Sequence, residues 1–182
     1  MPTIVHEFAW PDRVVVGTVG LPGSRTFYLQ VRTGAQIVSI ALEKQQSALL
    51  AEKIDEILDQ LIAYEGNPFS IPTVTPIELV DNDPLEPVDE EFRTGSMSLG
   101  WDPTTVQIVL EAFPLVDEDD VELLEVALVE PAEMLLVRMP VGTARAFVER
   151  TRQVVRSGRP LCPRCGQPVD DDGHVCGATP AP

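Results

Sequence analysis

Between Asn67 and Glu91 the chain carries five prolines and seven acidic residues. Such a stretch can form neither a regular helix nor a central strand, because proline lacks the backbone donor and clashes with the preceding turn. It therefore divides the sequence, and each side must supply its own secondary structure. By composition alone the stretch reads as a solvated, partly mobile strap. An acidic lid or docking segment for a basic partner is its functional alternative.

The two flanks follow one plan, strands and then a single amphipathic helix. On the first side, His6 to Val19 is extended in character and contains the apolar run Val14-Val15-Val16. Thr26 to Thr33 alternates, with Phe27, Leu29 and Val31 on one face and Tyr28, Gln30 and Arg32 on the other. Thr33-Gly34 turns into a strand over Gln36 to Leu42. A helix is expected from Glu43 to Tyr64, with Leu50, Ile54, Ile57, Leu58 and Leu61 as its apolar stripe and with Gly66 and Pro68 ending it.

On the second side, Phe92 to Trp101 and Thr105 to Phe113 read as paired strands, as do Val121 to Val129 and Glu133 to Met139. Pro140 and Val141 open a helix through Arg156, with Ala144, Phe147, Val148, Thr151, Val154 and Val155 facing inward. The expected class is α+β: one or two antiparallel sheets under two amphipathic helices, in a strands-then-helix pattern that occurs twice. The body spans residues 1–158, with halves of about 1–66 and 92–158 joined by the strap 67–91. A small tail occupies 159–182. The halves share a pattern, not a sequence.

The tail holds all three cysteines and one of the two histidines, as Cys162-x2-Cys165-x8-His174-x-Cys176. Thiolate and imidazole suit a tetrahedral zinc ion. Pro163 and Gly166 permit a tight knuckle, and Asp170-Asp171-Asp172-Gly173 can turn the chain back. Proline and glycine around the Cys-x2-Cys pair argue against a redox dithiol, which opens a helix after a strand. Four protein ligands, Cys162, Cys165, His174 and Cys176, leave no open position for an activated water. One structural Zn2+ is therefore expected, supplying on the order of 10 kcal/mol to a segment too short to bury a core.

Charge is unevenly placed within a net −16. Residues 67–135 hold seventeen acidic residues and only Arg93 as a base. From Arg138 to Arg164 there are seven arginines and only Glu149 as an acid. The acidic balance argues against general nucleic-acid binding, but not against a local basic patch. Arg145, Arg152 and Arg156 share one side of the second helix, with Arg159 just beyond it. Lying on the face opposite the apolar stripe, they are the candidate contact for an acidic partner, and the bland reading is a solvated face or pairing with the protein's own strap. Elsewhere, Gly17-x2-Gly20-x2-Gly23-Ser24-Arg25 reads as a glycine-rich hairpin connection before it reads as an anion cradle. Glu43-Lys44-Gln45-Gln46, with Arg25 and Tyr28, is a possible polar cluster at the sheet edge. His6 has no evident nucleophile to serve.

No apolar run approaches a membrane span, and the N-terminus lacks a signal-peptide pattern. With reduced cysteines, that leads to a cytoplasmic expectation. The chain resembles the uncharacterised actinobacterial proteins grouped as "domain of unknown function 3090". The resemblance rests on Gly20-Leu-Pro-Gly-Ser-Arg-Thr-Phe-Tyr-Leu-Gln30, Leu42-Glu-Lys-Gln-Gln46, Leu99-Gly-Trp-Asp102 and Ala146-Phe147. It continues through Gly158-Arg159-Pro160, Cys162-Pro-Arg-Cys-Gly166 and Gly173-His-Val-Cys176. It implies an intracellular bacterial protein with a zinc-ribbon-like tail and brings no activity, substrate or catalytic residue. The sequence thus favours a non-enzymatic, zinc-stabilised interaction protein. The alternative is a nucleic-acid-binding protein using the arginine helix and the tail. An enzyme with a carboxylate-based site is the weaker third reading.

Overall fold

The computed structural model describes residues 3–21, 23–116 and 131–157. The expected strand pair partner at Val121–Val129, the whole zinc-ligand set and Arg159 lie outside the described residues. Seven strands and two helices run β1 (Ile4–Phe8), β2 (Arg13–Val19), β3 (Thr26–Thr33), β4 (Gln36–Leu42), α1 (Lys44–Ile62), β5 (Glu90–Asp102), β6 (Gln107–Pro114), β7 (Glu133–Pro140) and α2 (Val141–Arg156). No described helix is long and apolar enough to cross a membrane.

The strands form one mixed sheet in the order β1-β7-β6-β5-β4-β3-β2. This corrects the expectation of purely antiparallel pairing. β2-β3-β4 and β5-β6-β7 are antiparallel meanders, but β4 pairs parallel with β5 and β1 pairs parallel with β7. The reason is the helix. α1 carries the chain back across the molecule after β4, so β5 starts beside β4 and runs the same way.

β1 and β2 stand at opposite ends of the strand order, yet only residues 9–12 separate them. A flat sheet of seven strands would hold them roughly 29 Å apart. A link of that length reaches about 18 Å at most. The sheet must therefore curl enough to bring its two ends within reach of that link. Two hydrogen bonds fix the link to the sheet: the Gln107 side-chain amide, on β6, donates to the Ala9 carbonyl at 2.9 Å, and the Asp12 amide donates to the Arg32 carbonyl, on β3, at 2.8 Å. The result is a pseudo-symmetric half-barrel of two meanders, each followed by a helix.

The interior is continuous. Phe8, Val16, Leu29, Ile40, Ile54, Leu58, Ile108, Leu110, Leu135, Val137, Met139 and Phe147 are all buried in one cluster. On α1 the expected stripe is the buried face, with Ile57 partly covered. On α2, Ala144, Phe147, Val148 and Thr151 are buried, with Val154 and Val155 packed at the margin.

The strap is largely exposed, as expected, with Ile71 its one buried residue, but it is tied down at several points. Ile71 is buried, held by Asn67, whose side chain both donates to the Ile71 carbonyl and accepts from its amide. Phe69 meets Trp101 edge-on at 5.1 Å between ring centroids. Leu85 lies so close over Gly17 that an added Cβ there would come within 2.5 Å of it. Gln30, expected on the polar face of β3, is 1% exposed under the strap. Its side chain accepts from the Glu86 amide at 2.8 Å and donates to the Glu86 carbonyl at 3.1 Å. Proline denies this segment regular pairing, so side chains satisfy its carbonyls instead.

Candidate functional site

Arginines supply most of that anchoring. Arg13, on β2, donates through Nε to Asp81 at 2.6 Å and through Nη2 to the carbonyls of Asp83 at 2.8 Å and Pro84 at 3.0 Å. Arg150, on α2 and 6% exposed, donates through Nε to the Val16 carbonyl at 3.0 Å. Its Nη1 reaches the carbonyls of Asp81 at 2.5 Å and Asp83 at 2.7 Å. Burial lowers the Arg150 pKa, and the charge of Asp81 opposes that shift. It stays a cation at any physiological pH. Asp81 is raised by burial, but the Arg13 hydrogen bond, the Asp83 amide and the two guanidinium charges outweigh this, and its net pKa is lowered.

The arginines singled out as a partner contact are placed differently from one another. Arg145 is 5% exposed, not on the outer face of α2. It donates to the Pro72 carbonyl at 2.9 Å and pairs with Asp55 and with Asp59 of α1. The outward assignment failed because α1 packs on that side of α2 and presents two carboxylates to it. Arg152 pairs with Asp55 at 3.2 Å while 41% of its side chain stays exposed. Arg156 is exposed and donates to the Arg152 carbonyl one turn back.

At the start of α1, Glu43 pairs with Arg93, and Tyr28 donates to Glu90 at 3.3 Å. Arg25 does not join them; it reaches Ser157 and lies 5.2 Å over the Phe27 ring. Gln46 caps the helix by accepting the Glu43 amide at 2.7 Å. Its own amide donates to the carbonyls of Thr94 and Gly95, each at 3.2 Å.

That last contact frames a concavity. β5 pairs with β4 only over Glu90–Arg93 and with β6 from Thr94 onward. Beyond Gly95, among the described residues, its other edge has no strand partner. α1 stands beside that edge and leaves a groove of about 550 Å³, lined by Leu49, Lys53, Ile57, Met97 and Leu99 among others. Leu49 is 53% exposed at its rim. The equivalent edge of β2 is covered instead by α2, through the Arg150 bond to Val16. Among the described residues the two halves therefore differ: one sheet edge is covered by a helix and the other is left open.

A further cluster was not foreseen from the sequence. His6 Nε2 lies 3.0 Å from a carboxylate oxygen of Glu133 and 3.5 Å from one of Glu91. The three residues are separated by 85 and 42 positions, so no local spacing could have signalled them. No curated protein and no solved structure matches the chain. The model of the family described as "Protein of unknown function (DUF3090)" matches residues 6–176, which takes in both meanders, both helices and the cysteine tail, and the chain belongs to that family.

Proposed function

We propose that this is a non-enzymatic interaction protein whose partner supplies an extended peptide to the groove between α1 and β5, and whose C-terminal tail is held by one zinc ion. The observation that carries the reading is the open edge of β5 beside a helix. Such an edge offers unpaired backbone groups to an added strand, and the helix gives apolar side-chain contacts along it. Leu49, Ile57, Met97 and Leu99 provide the apolar floor, and Gln46 and Lys53 the polar rim. The cysteine and histidine spacing supports the zinc-held tail, with all four tetrahedral positions filled by protein.

Nucleic-acid binding is the weaker reading. Arg145 and Arg150, two of the cations it would use, are spent on the chain's own carboxylates and carbonyls. Arg156, with Arg152 partly exposed beside its pair with Asp55, remains as a small basic patch near the end of α2, fit for an acidic rim on a protein partner. The test is site-specific photo-crosslinking from position 49 in native lysate, with and without nuclease. A single nuclease-resistant adduct that Met97→Glu abolishes supports the reading. Adducts that vanish with nuclease, or that are unchanged by Met97→Glu, overturn it.

A further inference from the structure

The cluster of His6, Glu91 and Glu133 brings one imidazole and two carboxylates from three strands to one point. His6 lies on β1 on the same side as buried Phe8, and Glu133 begins β7 on the same side as buried Leu135. Both therefore face the interior of the curled sheet at its rim. Glu91 reaches them from β5 by a different device. Ser39 pairs with Glu90 and Ile40 with Phe92, so Glu91 is the extra residue of a β-bulge. A bulge breaks the in–out alternation and re-aims a side chain. Here it brings a second carboxylate to an imidazole already paired with the first.

His6 Nε2 can direct at most one hydrogen. Both carboxylate oxygens converge on it, at 3.0 and 3.5 Å, and the nearer one, of Glu133, is its hydrogen-bond partner. A cation at the centre serves all three. With metal–ligand bonds near 2.1 Å, neighbouring ligand atoms stand about 3.0 Å apart in octahedral and about 3.4 Å apart in tetrahedral geometry. The observed distances of 3.0 and 3.5 Å are of that order, and all three ligand atoms lie within 4.8 Å of one another, close enough to share one ion.

We propose that His6, Glu91 and Glu133 bind a divalent first-row transition cation at the rim of the sheet. One imidazole and two carboxylates form a borderline-hard donor set, suited to Mn2+, Fe2+ or Zn2+ and distinct from the thiolate-rich set in the tail. The side chain of Glu91 is 42% exposed, so water completes the coordination sphere. The ion would also pin the two strand starts, β1 and β5, across the sheet interior.

The probe is Mn2+, which thiolate ligands do not favour. Titration of the full chain, followed by the electron paramagnetic resonance of free Mn2+, is expected to show one site. His6→Gln and Glu133→Gln are each expected to weaken it by at least about tenfold, since even loss of an outer-shell partner costs that much. Cys165→Ser is expected to leave it unchanged. Should a variant fold poorly, the wild-type protein decides the matter by nuclear magnetic resonance: the His6 ring protons must be among the first resonances broadened by substoichiometric Mn2+. Broadening that spares His6, no saturable site, or a site indifferent to both Gln variants would show an ion pair only and overturn the proposal.

Discussion

Replacing Arg150 with Met retains the apolar stem of a buried side chain and removes its guanidinium. Three carbonyls, those of Val16, Asp81 and Asp83, then lose a charged donor inside the fold. Each hydrogen bond to a charged group contributes about 1.5–3 kcal/mol, and the bonds of one side chain do not add fully. Removing one member of a buried charged network costs about 3–5 kcal/mol, chiefly because the remaining groups stay buried and unpaired. A loss near 4 kcal/mol is a large part of a total of about 5–15 kcal/mol. At about 2–4 °C per kcal/mol for a chain of this size, the melting temperature should fall by roughly 10 °C. Calorimetry measures that drop, and hydrogen exchange locates it. The Glu86 amide, now bonded to Gln30 under the strap, should lose protection far more than core amides of β6. Arg152→Met, at an exposed pair, is the comparison and should cost less than about 1 kcal/mol. A fall below about 2 °C with Glu86 still protected would refute the view that Arg150 holds the strap.

Two other outcomes follow from the same geometry. Gly95 is the extra residue where the β5–β6 register shifts, and an added Cβ would meet the Leu115 Cα at 2.9 Å and the Pro114 carbonyl at 3.0 Å. Because both are backbone atoms, Gly95→Ala should destabilise by about 1–3 kcal/mol in chemical denaturation, and a neutral result would contradict the close approach. Asp81 has its folded pKa below the ordinary 3.8. Its contribution is therefore fully present above that value and is lost as pH falls below it through the lower folded value. Stability measured against pH should show Asp81→Asn flattening the acid limb, and an unchanged limb would remove Asp81 from the account.

Much of the fold was legible because burial and period coincide. Phe27, Leu29 and Val31 are buried at alternate positions of β3, and Leu50, Ile54, Leu58 and Leu61 are buried at helical spacing on α1. What was not legible depends on pairing at long range. Whether β4 meets β5 in parallel is decided by where α1 returns the chain, not by either strand's composition. Gln30 and Arg145 look like surface residues in sequence, since nothing nearby reveals that Glu86 or Asp55 will cover them. The strap's prolines correctly exclude regular structure but say nothing of the side chains that satisfy its carbonyls. The β5 edge, open among the described residues, is likewise a property of the assembled sheet. By contrast, the proposed zinc ligands Cys162, Cys165, His174 and Cys176 sit within fifteen residues and lie outside the described residues, so that proposal rests on sequence spacing alone.

The zinc-held tail is the part of the interaction reading that chemistry can test most sharply. Zinc content and reactive thiols are measured on the chain purified without added metal, with His6→Gln and Cys165→Ser beside it. About one equivalent of zinc that persists in His6→Gln, with three thiols protected until a chelator is added, is the expected result. Cys165→Ser should lose that zinc while the far-UV signal of the β/α body remains. Less than about a tenth of an equivalent, with all three thiols freely reactive in the unmodified chain, would contradict it.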